Sequence, residues 1–317
     1  MVVIPVYNDW ESVAILLKKL DDTFAGEGIS AEVLLVDDGS SLASGAFFTK
    51  DTTYYALEQV DILRLNRNLG HQRALAIALS FVSERKDYTS VVVMDGDGED
   101  DPAEVPKLIA EQKAAAGETI LFAARGKRSE GLHFKIFYHL FKKIYFLLTG
   151  TALSFGNFSV IPRKALERLV NVAELWNNYP ASVIKARFPY RTVKTARGRR
   201  YRGSSQMNFV SLMLHGLSAI SVHGEIIGIR ALIAMLIVAL LSFLAIIIVI
   251  FIRLCTDLAI PGWASYLAAT FSVILLQSLT MTMFFVFMIL HSRNLACFLP
   301  KREYQSFILA RETLFRK

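Results

Sequence analysis

The stretch "VVVMDGDGEDDP", Val91 to Pro102, decides how the rest of the chain is read. Its branched apolar start predicts the end of a buried strand. Five carboxylates then crowd the seven positions from Asp95 to Asp101. Carboxylates this close repel one another, so water, a basic partner or a metal ion must hold them. Asp95, Asp97 and Glu99 alternate, and in an extended chain they would share one face. Gly96 and Gly98 allow a tight turn and leave room for a ligand. A solvated acidic turn is the plain alternative, but the position after a strongly apolar strand favours a functional site.

The flanking segments extend this into an alternating pattern. "VVIPVY" reads as a buried strand, and Glu11 to Phe24 as an amphipathic helix with Val13, Leu16, Leu17 and Leu20 on one face. "AEVLLVDDGSS" and "VDILRL" are two further strands, and "HQRALAIALSFVSER" is a helix. "PAEVPKLIAEQKAA" is the helix after the acidic segment, and "ETILFAAR" the next strand. Such alternation implies a doubly wound, mostly parallel α/β sheet. Ligands bind such sheets outside the carboxyl ends of the strands. Those ends carry "NDW", "DDGS", "DGDGEDD" and "RGKR".

Composition narrows the partners. The 317-residue chain has a formal net charge of +7, which suits anionic lipid, phosphorylated substrates or nucleic acid. Nucleic acid is disfavoured, because neither zinc-finger spacing nor an RNP-type aromatic pattern is present. The two cysteines, Cys255 and Cys297, provide no disulfide framework and no metal-ligand spacing. "MVVIPVYND" enters a strand directly, without the basic start of a secretory signal.

Hydrophobic residues, 53% of the whole, concentrate after about position 229. Ala231 to Ile252 and Ser265 to Leu290 contain no charged residue, and each is long enough to cross a bilayer. Pro261, Gly262 and Trp263 suit the turn between them. Basic residues flank the pair on its outer ends, whereas the connecting loop offers Arg253 offset by Asp257. The positive-inside rule therefore puts the soluble part and the C-terminus in the cytoplasm. The expected domains are 1–204, a catalytic sheet domain; 205–228, interfacial helices; 229–292, the transmembrane hairpin; and 293–317, a basic cytoplasmic tail. Within that tail, "YQSFILARETLFRK" reads as a surface helix.

Carboxylates cannot bind a nucleotide diphosphate directly, but they do so through Mg²⁺ or Mn²⁺ bridging to phosphate oxygens. At this point four segments, "VVIPVYND", "LLVDDGSS", "NRNLGHQRALAIAL" and "VVVMDGDGEDDP", resemble the family 2 inverting glycosyltransferases in order and spacing. The chain is similar to the dolichol-phosphate-mannose-synthase-like branch, which acts on polyprenyl phosphates and carries a C-terminal pair of membrane helices. The resemblance implies a GT-A fold and a metal-dependent hexosyltransferase of the inner membrane. It would pass sugar from a nucleotide diphosphate-sugar to a polyprenyl phosphate on the cytoplasmic face.

By the same resemblance, Pro5, Tyr7, Asp9, Asp37, Asp38 and Asp95 hold the nucleotide-sugar, and Asp97 and Glu99 ligate the metal. Arg125, Arg128 and Lys135 meet the acceptor phosphate. Asp97, Glu99 and Arg125 form the catalytic set. "ARGRRYRGSSQMNF" matches a further element of the family, in which Arg200 and Arg202 would fold over the diphosphate. A surface loop docking on anionic lipid is the plain reading of those arginines. The sequence departs from the family at Asn157, Ser159 and Gln206, where Asp, Arg and Lys are usual. Another lipid acceptor, or a catalytically silent scaffold, are the competing readings. Paired membrane hairpins also raise the expectation of a homo-oligomer.

Overall fold

The computed structural model describes residues 1–48, 53–115, 117–125, 132–151, 155–202, 209–256, 262–294 and 298–317. Two compact units emerge: Met1–Lys142, Ala152–Val222 and Cys297–Lys317 make the first, and Lys143–Thr151 with His223–Ala296 the second.

In the first unit the chain runs β1 (Val2–Val6), α1 (Trp10–Glu27), β2 (Ala31–Asp37), β3 (Leu57–Leu65), α2 (His71–Ser83), β4 (Ser90–Val93), α3 (Val105–Ala114) and β5 (Ile120–Arg125). Next comes α4 (Leu132–Thr149), whose last residues belong to the second unit. Then follow β6 (Ser159–Pro162), α5 (Arg163–Leu169), α6 (Tyr179–Lys185), β7 (Tyr190–Thr195) and α7 (Phe209–Ser221). Among the described residues eight strands form one sheet, in the order β7-β5-β6-β4-β1-β2-β3-β8, where β8 is Ile308–Arg316. β1 pairs in parallel with β2 and β4, β2 with β3, and β5 with β7. β6 is antiparallel to β4 and β5, and β8 runs antiparallel along β3.

Period-two alternation divides each strand between two cores. Val3, Leu34, Val36, Leu63 and Val91 face one layer, where Ala74, Leu75, Ala78 and Leu79 of α2 bury the interior. Val2, Ile4, Val33, Leu35, Ile62 and Val92 face the other, packed against Val13, Leu16, Leu17 and Leu20 of α1 and Val105 and Leu108 of α3. Leu16 is fully buried, so Leu16→Ala would cost about 2–5 kcal/mol. With both faces covered, the open carboxyl ends of β1, β2 and β4 are where polar chemistry can gather.

One expectation changes. The C-terminal stretch is not a surface helix on a basic tail. It is β8, paired with β3 from Gln59↔Arg316 to Leu65↔Ile308. Leu, Ala, Arg and Glu favour a helix locally, but β3 would otherwise be an open edge carrying Asp61 and Arg64, and β8 satisfies both (below). Within segment 205–228, α7 belongs to the first unit, and Gly224 starts the next helix.

The second unit is dominated by α8 (Gly224–Cys255) and α9 (Trp263–Asn294), which pack along one another as a hairpin. Both are long and apolar enough to cross a membrane, and only 17% and 6% of their most apolar windows are buried. Helices of a soluble core would be mostly covered, whereas Leu241, Phe251, Met283 and Phe287 stay exposed. Buried positions on α8 include the small residues Gly228, Ala239 and Ser242, as close helix packing in lipid favours. Arg230 of α8 donates to the carbonyls of Leu147 and Leu148 at 2.8 and 3.1 Å, satisfying the last turn of α4. The connecting loop, with Asp257 and Pro261, lies outside the described residues.

Candidate active site

The first wall is built by the loops after β1 and β2. Beyond β1, Tyr7 is exposed and Asn8 takes a left-handed φ of 54°, which asparagine tolerates better than most residues. Its Oδ1 accepts from the backbone N–H groups of Ser41 and Leu42 at 2.9 and 3.1 Å, while Ser40 Oγ accepts from the Asn8 N–H at 2.9 Å. Pro5 is buried within β1, opposite Val36. Asp37 ends β2 almost fully buried; its carboxylate accepts from the Ser40 N–H and from Arg64, both at 2.8 Å.

Asp38 accepts the N–H groups of Leu69 and Gly70 at 2.7 and 2.9 Å, clamping the turn before α2. Burial pushes its carboxyl up to about 6, against those N–H bonds and the charge of His71. Gly39 has φ +70°, and a Cβ there would come within 2.5 Å of the Asn68 backbone nitrogen, so "DDGS" requires glycine.

The second wall is the loop after β4. Its backbone turns at Gly98, φ +90°, rather than continuing extended, and a Cβ there would meet the Tyr201 ring at 2.6 Å. The shared face expected of Asp95, Asp97 and Glu99 is therefore broken. Asp97 Oδ1 accepts the Glu99 N–H at 2.9 Å, and the Glu99 carboxylate pairs with Arg197 at 2.6 Å. Asp100 Oδ2 accepts the Asp95 N–H at 2.8 Å, and Asp101 accepts the Ala103 N–H at 3.0 Å, starting the helical turn before α3.

The basic segment after β7 lies directly on this loop. Gly198 N–H donates to Glu99 O, and Tyr201 N–H to Asp97 O, both at 3.0 Å. Arg200 bridges Asp9 at 3.4 Å and Asp97 at 3.3 Å, joining the β1 and β4 ends, while Arg202 pairs with Glu11 at 3.0 Å. Arginines thus hold the carboxylate cluster in the protein alone. Burial raises the Asp97 carboxyl above its ordinary range; Asp95 and Glu99 raise it further, and Arg200 offsets them only in part. Among the described residues no group of three or more metal-binding side chains is arranged to hold an ion by itself.

A hydrogen-bond chain runs from the buried Tyr179 and Gln72 out to the exposed His71, next to Asp95. The Tyr179 N–H donates to Gln72 Oε1 at 2.8 Å, and Gln72 Nε2 donates to Asn157 Oδ1 at 3.1 Å. Asn157 Nδ2 lies 2.8 Å from His71 Nε2, itself 3.5 Å from Asp95. Ser159 Oγ donates to the Asn157 carbonyl and meets the Tyr179 hydroxyl, both at 2.8 Å.

Arg125 ends β5 and Lys135 lies in α4. Arg128 and Gln206 lie outside the described residues. The site also includes Arg64, His71 and Arg197, which the sequence reading did not select. Arg64 had a signal: with Asp61 it is one of two charges within the "VDILRL" stretch, and a charge on a buried strand needs a partner.

The glycosyl transferase family 2 model matches residues 1–170. The undecaprenyl-phosphate 4-deoxy-4-formamido-L-arabinose transferase of Klebsiella pneumoniae is 28% identical over 218 residues, covering 67% of this chain and 63% of that protein. The chain thus spans less than two thirds of that relative's length. The protein of the same name from Salmonella typhimurium is 32% identical over 152 residues, 48% of this chain and 44% of its own.

Among solved structures, glucosyl-3-phosphoglycerate synthase from Mycobacterium tuberculosis, in complex with Mn²⁺, UDP-glucose and phosphoglyceric acid, superposes with a TM-score of 0.51 at 14% identity. That match covers 72% of this chain and 79% of the other. Mannosyl-3-phosphoglycerate synthase from Rubrobacter xylanophilus gives 0.50 at 13% identity, over 70% of this chain and 71% of its own. These likenesses concern the fold, which is GT-A. By the match over its first 170 residues, and by the order of its strand-end motifs, the chain belongs to glycosyl transferase family 2.

Proposed function

We propose that the protein is an inverting glycosyltransferase that moves a sugar from a nucleotide diphosphate-sugar to a polyprenyl phosphate. The observation that carries this reading is the Arg200 bridge between Asp9 and Asp97, which joins the β1 and β4 strand ends in one charged cluster. The undecaprenyl-phosphate transferases among its relatives support the lipid acceptor. The α8–α9 hairpin would hold the enzyme in the bilayer where such a lipid resides, with the sheet domain and C-terminus on the cytoplasmic side.

Pro5, Tyr7, Asp9, Asp37, Asp38 and Asp95 are the proposed contacts of the nucleotide-sugar. Asp97 and Glu99 are the residues that would hold Mg²⁺ or Mn²⁺. The donor set fits: carboxylate oxygens suit hard cations, one or two of them suffice when phosphates complete the shell, and the Asp97 carboxyl is raised first by burial and then by the neighbouring charges of Asp95 and Glu99. When bound, the cation supplies positive charge against the departing diphosphate. Arg200 and Arg202 would then turn from their carboxylate partners toward that diphosphate. Arg125, with Arg128 and Lys135, would orient the acceptor phosphate for in-line attack at the anomeric carbon.

Both polar atoms of the Asn157 side chain are engaged, by Gln72 and His71, and an amide accepts no proton. This favours an acceptor that is already ionised near neutral pH, as a phosphate monoester is, over a lipid hydroxyl that needs a base. The test is a screen of nucleotide-sugars with purified protein, undecaprenyl phosphate and Mn²⁺. Transfer to the phosphate lipid, lost in Asp97→Ala, is the expected result. Transfer only to a hydroxyl lipid, or full activity in the variant, would overturn the reading.

A further inference from the structure

β8 reaches one of the proposed donor contacts through a single arginine. Arg64 of β3 extends its guanidinium between two carboxylates. Nε and Nη2 donate to Glu312 Oε1 and Oε2 of β8, both at 2.9 Å, in the two-pronged geometry that fixes a guanidinium plane. Nη1 donates to Asp37 Oδ2 at 2.8 Å, and Nη2 also donates to Ser44 Oγ at 2.9 Å. Exposure falls along this line, from 49% at Glu312 through 24% at Arg64 to 3% at Asp37. The Glu312 hydrogen bonds are foremost in holding Arg64 charged.

Neighbouring residues of β8 do something else. Arg311 and Thr313 reach Asp61, at 2.8 Å each. The strand therefore presents one side chain toward the donor wall and its two neighbours toward a buried carboxylate, as the period of two requires.

We propose that Arg64 and Glu312 are positioning residues for the nucleotide donor. The strand that follows the apolar hairpin orients the Asp37 carboxylate, and donor affinity depends on it. This rests on the reading that Asp37 contacts the nucleotide. Ser40 N–H fixes one oxygen of Asp37 and Arg64 the other, so losing Glu312 removes the two-pronged anchor of the guanidinium, leaves it only Asp37 and Ser44, and loosens the donor to one carboxylate oxygen.

The test uses the full chain in detergent with Mn²⁺, titrated calorimetrically with UDP, GDP and dTDP. Asp37→Asn is expected to weaken at least one nucleotide about tenfold or more, and Glu312→Ala to weaken the same one about fivefold. Glu312→Gln should fall between. In the Asp37→Asn background, Glu312→Ala should add nothing, whereas a merely structural role would add its loss in both backgrounds. Thr313→Val, which loosens the same strand at Asp61, should lower the melting temperature and leave nucleotide affinity as it was.

If Asp37→Asn binds all three nucleotides like the parent, the reading of Asp37 fails and the proposal with it. If Asp37→Asn is weakened but Glu312→Ala is not, or if Thr313→Val weakens binding equally, the proposal alone is overturned.

Discussion

The ends of β2 and β4 both present adjacent carboxylates, yet they are held by different means. Asp38 is held by backbone N–H groups, and Asp37 by one backbone N–H and a guanidinium from the neighbouring strand. Asp97 also accepts one backbone N–H, that of Glu99, but the guanidiniums on Asp97 and Glu99 belong to Arg200 and Arg197, from a loop about a hundred residues further along rather than from a neighbouring strand. Backbone donors cannot leave without unfolding the turn they belong to. Arginine side chains can rotate away, so their carboxylates can exchange partners. The β2 end is a platform; the β4 end is the one proposed to accept a cation and a diphosphate.

The comparison can be broken in four places. Asp97→Ala should reduce sugar transfer to undecaprenyl phosphate about a hundredfold or more while leaving the melting temperature near that of the parent. A large drop in stability would make Asp97 part of the platform instead. Asp38→Ala should cost about 2–3 kcal/mol of stability by leaving two backbone donors unpaired, whatever it does to transfer; chemical denaturation measures it. An unchanged denaturation midpoint would remove the contrast.

Arg200→Ala should lower transfer about tenfold and ease Mn²⁺ binding to the bare protein, since the cation no longer displaces a guanidinium. Manganese titration by electron paramagnetic resonance reads that directly. The smallest effect concerns Asp61. Burial pushes its carboxyl up, but hydrogen bonds from Gln59, Arg311 and Thr313 outweigh it and hold the group below the ordinary carboxylate range. Its folded value lies below its unfolded one, so its contribution is complete above the ordinary range and is lost as pH falls through the folded value. Melting curves from pH 5 down to 3 should show Asp61→Asn converging on the parent at the acid end. A constant gap between the two would contradict the assignment.

The sheet was readable from sequence because apolar runs such as "VVIPV" and "AEVLLV" report burial on both faces, and turn residues bound them. The strand ends were readable too, since a doubly wound sheet gathers them wherever the loops go. Partners were not. Nothing local at Glu99 announces Arg197, because that pairing depends on how two loops meet in space. Nor does "FILARETLFRK" identify itself: its residues favour a helix, and only the need of β3 for a neighbour makes it a strand. The charges at Asp61 and Arg64, within the "VDILRL" stretch of a buried strand, were the one visible sign of that need.

The sheet order has a consequence for biosynthesis. β3 ends at Leu65, but its neighbour β8 begins at Ile308, after both apolar helices. At 5–20 residues per second, translation leaves that edge of β3 without its partner for roughly 10–50 seconds. Throughout that interval Asp61 and Arg64 await Arg311, Thr313 and Glu312. The sheet domain is therefore finished last at its β3 edge, and only once the apolar hairpin has been made.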